Sequence, residues 1–136
     1  MRWNARPPLH PRAFEYRLNI SASFNNNKLR FTTSAAPAGV KTLTIADGLY
    51  SVAGLNTAIS TLLINLTLPG NLITISGDDA TGKTIVNLLT GGDSIDFTFP
   101  NSVRKVLGFN STVITAPSAG FSFLSDSVAQ FNRINS

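Results

Sequence analysis

The chain contains no cysteine, which excludes disulfides, thiolate nucleophiles and thiolate metal sites. Its single histidine, His10, sits in a proline-rich segment, so neither a Ser/His/Asp triad nor a histidine metal centre is expected. Glu15 is the single glutamate and falls on the polar side of an alternating run. Charged residues make up 13%, against about a quarter in an ordinary domain, while apolar residues make up 43%. Two explanations fit that scarcity: a surface of neutral Ser, Thr and Asn, or a surface covered by neighbours in an assembly. Long apolar runs are missing too. The longest, Leu62 to Leu68, is broken by Asn65 and Thr67 and is far too short to span a bilayer. The N-terminus has arginines but no apolar signal-peptide core, so the expected compartment is reducing. The glycosylation patterns at Asn19, Asn65 and Asn110 then read as chance in an Asn-rich chain.

What is present is enough for one domain of 136 residues with an ordinary core. The formal charge of +4 is unevenly placed: Arg2, Arg6, Arg12 and Arg17 stand against Glu15 in the first 17 residues. Residues 1–13 also hold Pro7, Pro8 and Pro11 and no apolar periodicity, so they are expected to form an extended basic arm without its own core. That arm reads either as a disordered tail or as a segment ordering against a neighbouring subunit, with Trp3 as anchor. Its three arginines, Arg2, Arg6 and Arg12, would support at most a weak, salt-sensitive nucleic-acid contact.

Residues 14–136 read as a single β-rich domain around one helix. Val52, Leu55, Ile59, Leu62 and Leu66 recur at helical spacing, with Ala58 and Leu63 widening the stripe and Ser51 as N-cap, which predicts a helix over 51–66. A lone amphipathic helix must bury its stripe against a sheet. Upstream, Phe14 to Phe24 alternates as a strand, and Asn25–Asn27 is a turn into a second strand, Lys28 to Thr33, a predicted hairpin. Ser34 to Gly39 is a loop, Lys41 to Ala46 a strand, and Asp47-Gly48 a turn into the helix. Downstream, Pro69-Gly70-Asn71 stops the helix. Strands are expected over 72–76, 83–89, 94–99 and 111–115, with a helical turn from Val103 to Leu107 closed by Gly108. Phe121 to Ile134 is apolar but irregular. Because the chain ends just after Phe131 and Ile134, either this tail packs on a partner or the parent protein is longer.

One motif invites an enzymatic reading. Gly77 to Thr84 satisfies G-x-x-x-x-G-K-[ST], in which amides and lysine cradle phosphates and a helix starts at the lysine. Here Lys83 leads into the alternating run Thr84-Ile85-Val86-Asn87-Leu88, and Asp78 and Asp79 stand where phosphate would sit. A hairpin turn rich in Gly and Asp is the better reading, with nucleotide binding the minor alternative. Asp93 and Asp96 admit weak calcium binding, though turn chemistry explains them better. Arg104-Lys105 suits an anion contact or the C-terminal end of a short helix.

Asp47-Gly48-Leu49-Tyr50-Ser51 entering a helix with Leu55-Asn56, then Ile95-Asp96-Phe97-Thr98 and Val106-Leu107-Gly108-Phe109, resembles structural proteins of double-stranded DNA viruses and their integrated relatives. The resemblance spans about Thr42 to Phe109. It implies a minor capsid, penton or vertex-spike-base protein, assembled in the host cell into a virion, with no catalytic residues and no cofactor. It implies as partners further copies of the chain and other capsid or spike proteins.

The expected fold is therefore mainly β to α+β: an antiparallel β-sandwich, with jelly-roll order one of the arrangements admitted, and one amphipathic helix packed on it. The expected function is structural, through self-association. A fibre- or adhesin-like module recognising a host glycan or protein is the alternative, for which Tyr50, Phe121 or Phe123 on loops would speak. Trp3, Arg6, Arg12, Phe131 and Ile134 are the candidate interface residues.

Overall fold

The computed structural model of the chain describes residues 16–133. They form a β-rich α+β fold of three antiparallel sheets and one main helix. The strands are β1 (Tyr16–Ile20), β2 (Lys28–Thr33), β3 (Gly39–Thr44), β4 (Gly48–Tyr50), β5 (Ile73–Asp78), β6 (Lys83–Leu88), β7 (Ser94–Asp96), β8 (Val113–Thr115), β9 (Phe121–Leu124) and β10 (Phe131–Arg133). The helices are α1 (Val52–Asn65) and the one-turn α2 (Arg104–Leu107). The sheets run β10-β1-β4, β3-β2-β7-β8 and β5-β6-β9, an order that alternation alone does not encode.

The expected hairpin between the first two strands is not formed. β1 pairs with β4 and β10, while β2 pairs with β3 and β7. The cause lies in the seven residues between them. Ser21 caps a 3₁₀ turn, Ala22–Phe24, and Asn25 closes it at φ 54°. The Asn26 side chain then takes over the end of β1: its amide donates to the Asn19 carbonyl at 2.9 Å and its oxygen accepts from the Ser21 N–H at 2.8 Å. The Asp47 carboxylate accepts from the Ala22 N–H at 2.9 Å. These local side-chain bonds compete with a ladder and turn the chain into another sheet. Alternation holds only within β1, where Leu18 and Ile20 are buried; Ala22 and Phe24, at the end of the run expected to form this strand, are exposed.

The helix forms much as its sequence directs. Ser51 Oγ accepts from the Gly54 N–H at 2.9 Å, and Leu55, Ile59 and Leu63 are buried, with Val52, Leu62 and Leu66 packed at the margin. Each fully buried aliphatic side chain contributes about 1.5–3 kcal/mol over an exposed one. The stripe lies chiefly against β5. The Asn56 side-chain oxygen accepts from the Ile75 N–H at 2.7 Å, so the helix also satisfies and covers the β5 edge.

β5 and β6 are a hairpin, with Ile73 opposite Leu88 and Asp78 opposite Lys83. β7 is shorter than expected because the Asp96 carboxylate accepts from the Thr98 N–H at 2.9 Å and turns the chain. α2 ends at Gly108, φ 93°, as predicted. Phe97 and Phe109, from the two halves of the I-D-F and L-G-F runs, stack at 4.7 Å between centroids. The segment read as irregular, 121–134, contributes two strands: β9 beside β6, and β10 beside β1. Buried residues from all three sheets and α1 form one hydrophobic core.

Candidate functional site

Of the candidate interface residues, Trp3, Arg6, Arg12 and Ile134 lie outside the described residues, as do His10, Glu15 and the rest of the basic arm. Phe131 begins β10, opposite Leu18. Tyr50 is half-buried on β4, and its hydroxyl donates to the Ala46 carbonyl at 2.7 Å, bracing the turn at Gly48. Phe121 and Phe123 lie on β9 rather than on a loop and meet edge to face at 5.0 Å.

Gly77 to Thr84 is the tip of the β5–β6 hairpin. Asp78 organises it: its carboxylate accepts from the Thr81 hydroxyl at 2.8 Å and the Ala80 N–H at 3.2 Å, and its carbonyl from the Gly82 N–H at 2.8 Å. Lys83 opens a strand. The Thr84 hydroxyl is buried and donates to the Leu107 carbonyl at 2.7 Å, far from any role in a phosphate cradle.

Asp93 and Asp96 do separate structural work. Asp93 is buried and receives the Thr33 hydroxyl and the Ser34 N–H. Asp96 receives the hydroxyl and N–H of Thr98. The Thr98 hydroxyl is the largest cause holding this carboxyl below its ordinary value; burial opposes it, and the Thr98 amide, the Arg30 guanidinium and the Phe99 N–H add to the lowering. Among the described residues, no three His, Cys, Asp or Glu side chains are grouped to hold a metal ion, and no helix is long and apolar enough to cross a membrane.

A groove of about 590 Å³ opens on the surface. One wall is the 3₁₀ turn with Phe24, Asn25 and Asn26; the other is drawn from the segment between Thr98 and Val106, with Asn19, Ser111 and Gln130 completing the lining. Among the described residues, Arg104 and Lys105 are its charged lining residues and no carboxylate lines it. The Arg104 guanidinium donates to the Phe109 carbonyl at 3.3 Å. Both walls are tied down. The Asn101 carbonyl accepts from the Lys28 N–H at 2.9 Å, and the Arg30 guanidinium lies 4.8 Å above the Phe99 ring. The pair Arg104-Lys105 was visible in the sequence as a possible anion contact; Phe24, Asn101 and Gln130 carried no such signal, because their meeting depends on sheet order.

A second feature is distributed over the sheet edges. The sheets end in β10, β4, β3, β8, β5 and β9. Leaving aside β5, covered by α1, and β10, whose side chains lie outside the description, each remaining edge strand exposes a large apolar side chain. These are Val40 (56% exposed) on β3, Leu49 (54%) on β4, Val113 (51%) on β8 and Leu124 (49%) on β9. β4, β8 and β9 contain no charged residue.

Compared with known proteins, the chain matches no family model, no curated protein and no solved structure.

Proposed function

We propose that this chain is a structural subunit that acts by self-association, and that its setting is the virion of a double-stranded DNA virus, as a minor capsid, penton or spike-base component. The observation that carries the assembly reading is the set of uncharged edge strands bearing Leu49, Val113 and Leu124 in solvent. Proteins that stay monomeric protect edges with lysine, proline, a covering element or short strands; β4, β8 and β9 are short, three or four residues, but each turns a large apolar side chain to solvent in place of a charge. A low overall charge is consistent with surface that ends up against neighbours. The virion setting and the further capsid or spike partners rest on the D-G-L-Y-S, S-I-D-F and L-G-F runs.

Sedimentation velocity of the full chain across a concentration series tests the proposal. Discrete closed oligomers are expected, trimers favouring a spike base and pentamers a penton. Val113→Lys with Leu124→Lys should shift them toward monomer without lowering Tm. A clean monomer at every concentration overturns self-association.

The groove favours a second reading, a fibre- or adhesin-like module that recognises a host glycan or protein. Its volume lies in the range of about 300–1,000 Å³ typical of small-ligand sites, and its lining mixes polar amides with aromatic rings.

A further inference from the structure

We propose that the groove between the 3₁₀ turn and the Thr98–Val106 segment binds an acidic saccharide unit, a pyranose carrying a carboxylate or a sulfate. The inference deepens the second reading and is independent of self-association; a chain that stays monomeric leaves it standing.

The amides come first. Asn25 and Asn101 both line the groove, and both hold left-handed backbone, φ 54° and φ 66°. They are two of the three non-glycine residues with positive φ among those described. Asparagine adopts this conformation at turns and caps more readily than other non-glycine residues, so it fixes where each side chain leaves the backbone. Bonds hold both walls in place: the Asn26 clamp on β1, the closure of the turn by the Asn25 N–H on the Ala22 carbonyl at 3.1 Å, and the Lys28–Asn101 bond. The side-chain amides of Asn25, Asn101 and Gln130 make no hydrogen bond among the described residues, although each lines the groove. A primary amide donates and accepts at once, which matches the paired hydroxyls of a sugar.

The apolar and charged parts complete the match. Phe24 is 60% exposed on its turn and lines the groove, an aromatic ring against which the C–H face of a pyranose can pack, while Phe99 beside it is held by Arg30 over its ring. Lys105 is exposed with no bonded partner among the described residues, and Arg104, whose guanidinium also donates to the Phe109 carbonyl, adds a second cation with no acid among the described lining residues. One anionic substituent is what this pair accommodates in charge-assisted bonds. A nucleic-acid strand would find two cations for a run of phosphates, too few for affinity at physiological salt. The basic arm of this same chain is the wrong sign for the groove.

The test is an amide-resolved NMR titration of the full chain with 3′-sialyllactose, a galactose 6-sulfate, neutral lactose, sodium sulfate and a single-stranded oligonucleotide. One or both acidic sugars should shift the Asn25, Asn101 and Lys105 resonances, the arms separating carboxylate from sulfate. Lactose should bind about tenfold more weakly, as loss of a charge-assisted bond predicts. Asn101→Gly keeps the backbone free to adopt its φ and removes the amide; it should weaken sugar binding about five- to tenfold with Tm unchanged. Lys105→Ala should erase the preference for acidic over neutral sugar. Absence of shifts in the groove at saturating sugar overturns the proposal. So do equal shifts with sulfate alone, or tighter, salt-sensitive binding of the oligonucleotide.

Discussion

The hydroxyl of Thr33, at the end of β2, donates to the carboxylate of Asp93 at 2.7 Å, and both groups are buried. The same carboxylate accepts from the Ser34 N–H at 3.1 Å, and Thr33 Oγ1 accepts from the Ala35 N–H at 3.0 Å. Asp93 thus pins the start of the β2–β3 loop to the turn before β7. Asp93→Ala leaves the buried Thr33 hydroxyl and the partly exposed Ser34 N–H without this acceptor and should cost about 1–3 kcal/mol in urea denaturation. Asp93→Asn, which keeps one carbonyl acceptor, should cost less. Equal stability of Asp93→Ala and the parent would show that the cluster carries no net energy.

Gly108 closes α2 at φ 93°, and a Cβ there would stand 2.1 Å from the Ser127 carbonyl oxygen. Backbone strain and a clash with backbone act together, so Gly108→Ala should destabilise on the order of 3 kcal/mol or more. The drop should be visible as a lowered Tm. Gly92, also at positive φ (88°) but with open space around its Cβ position, should tolerate alanine better.

The N-cap of α1 is a single hydroxyl. Ser51→Ala removes the bond to the Gly54 N–H and should cost about 1 kcal/mol, while Ser51→Asp should hold stability near the parent's. Thermal unfolding of the three chains side by side decides it.

Asp96 gives a pH dependence with a definite sign. Its folded pKa lies below the ordinary 3.8, with the Thr98 hydroxyl the largest cause. A depressed carboxyl pKa contributes stability above the unfolded value and loses it as pH falls through the folded value. The loss therefore belongs to the range below 3.8 and not to neutral pH. NMR titration should place the Asp96 midpoint below 3.8, and Thr98→Ala should raise it. Asp96→Asn should remove this part of the acid sensitivity. A midpoint unmoved by Thr98→Ala would overturn the assignment.

Local chemistry was legible in the chain and long-range pairing was not. Ser51, the helical stripe and Gly108 signal their elements through bonds made within a few residues. The Gly-Asp turn at 77–82 likewise announces a hairpin, and β-branched residues from Thr84 onward argue against a helix. The β1–β2 hairpin failed because Asn26, read as a turn residue, spends its side chain on β1 itself. β9 and β10 were missed because runs of three or four residues, Phe121–Leu124 and Phe131–Arg133, give alternation too little length to register. Their strand character comes from β6 and β1, partners remote in sequence. The groove was invisible for the same reason. Its walls come from residues near 25 and near 101, joined by the bond between the Lys28 N–H and the Asn101 carbonyl.

The pairing of Tyr16 with Arg133 has a consequence for timing on the ribosome. β1 contributes Leu18 and Ile20 to the core, yet one of its two neighbours, β10, is synthesised only after every other described strand. A nascent chain can form the local β2–β3 and β5–β6 hairpins and α1 early, since their partners are close in sequence. The β10-β1-β4 sheet must wait. Non-local closure of this kind slows folding, and the edge of β1 stays open until translation has passed residue 133. Two chains growing side by side would each carry the same unfilled place, so exchange of β10 between neighbours during synthesis competes with closure within one chain.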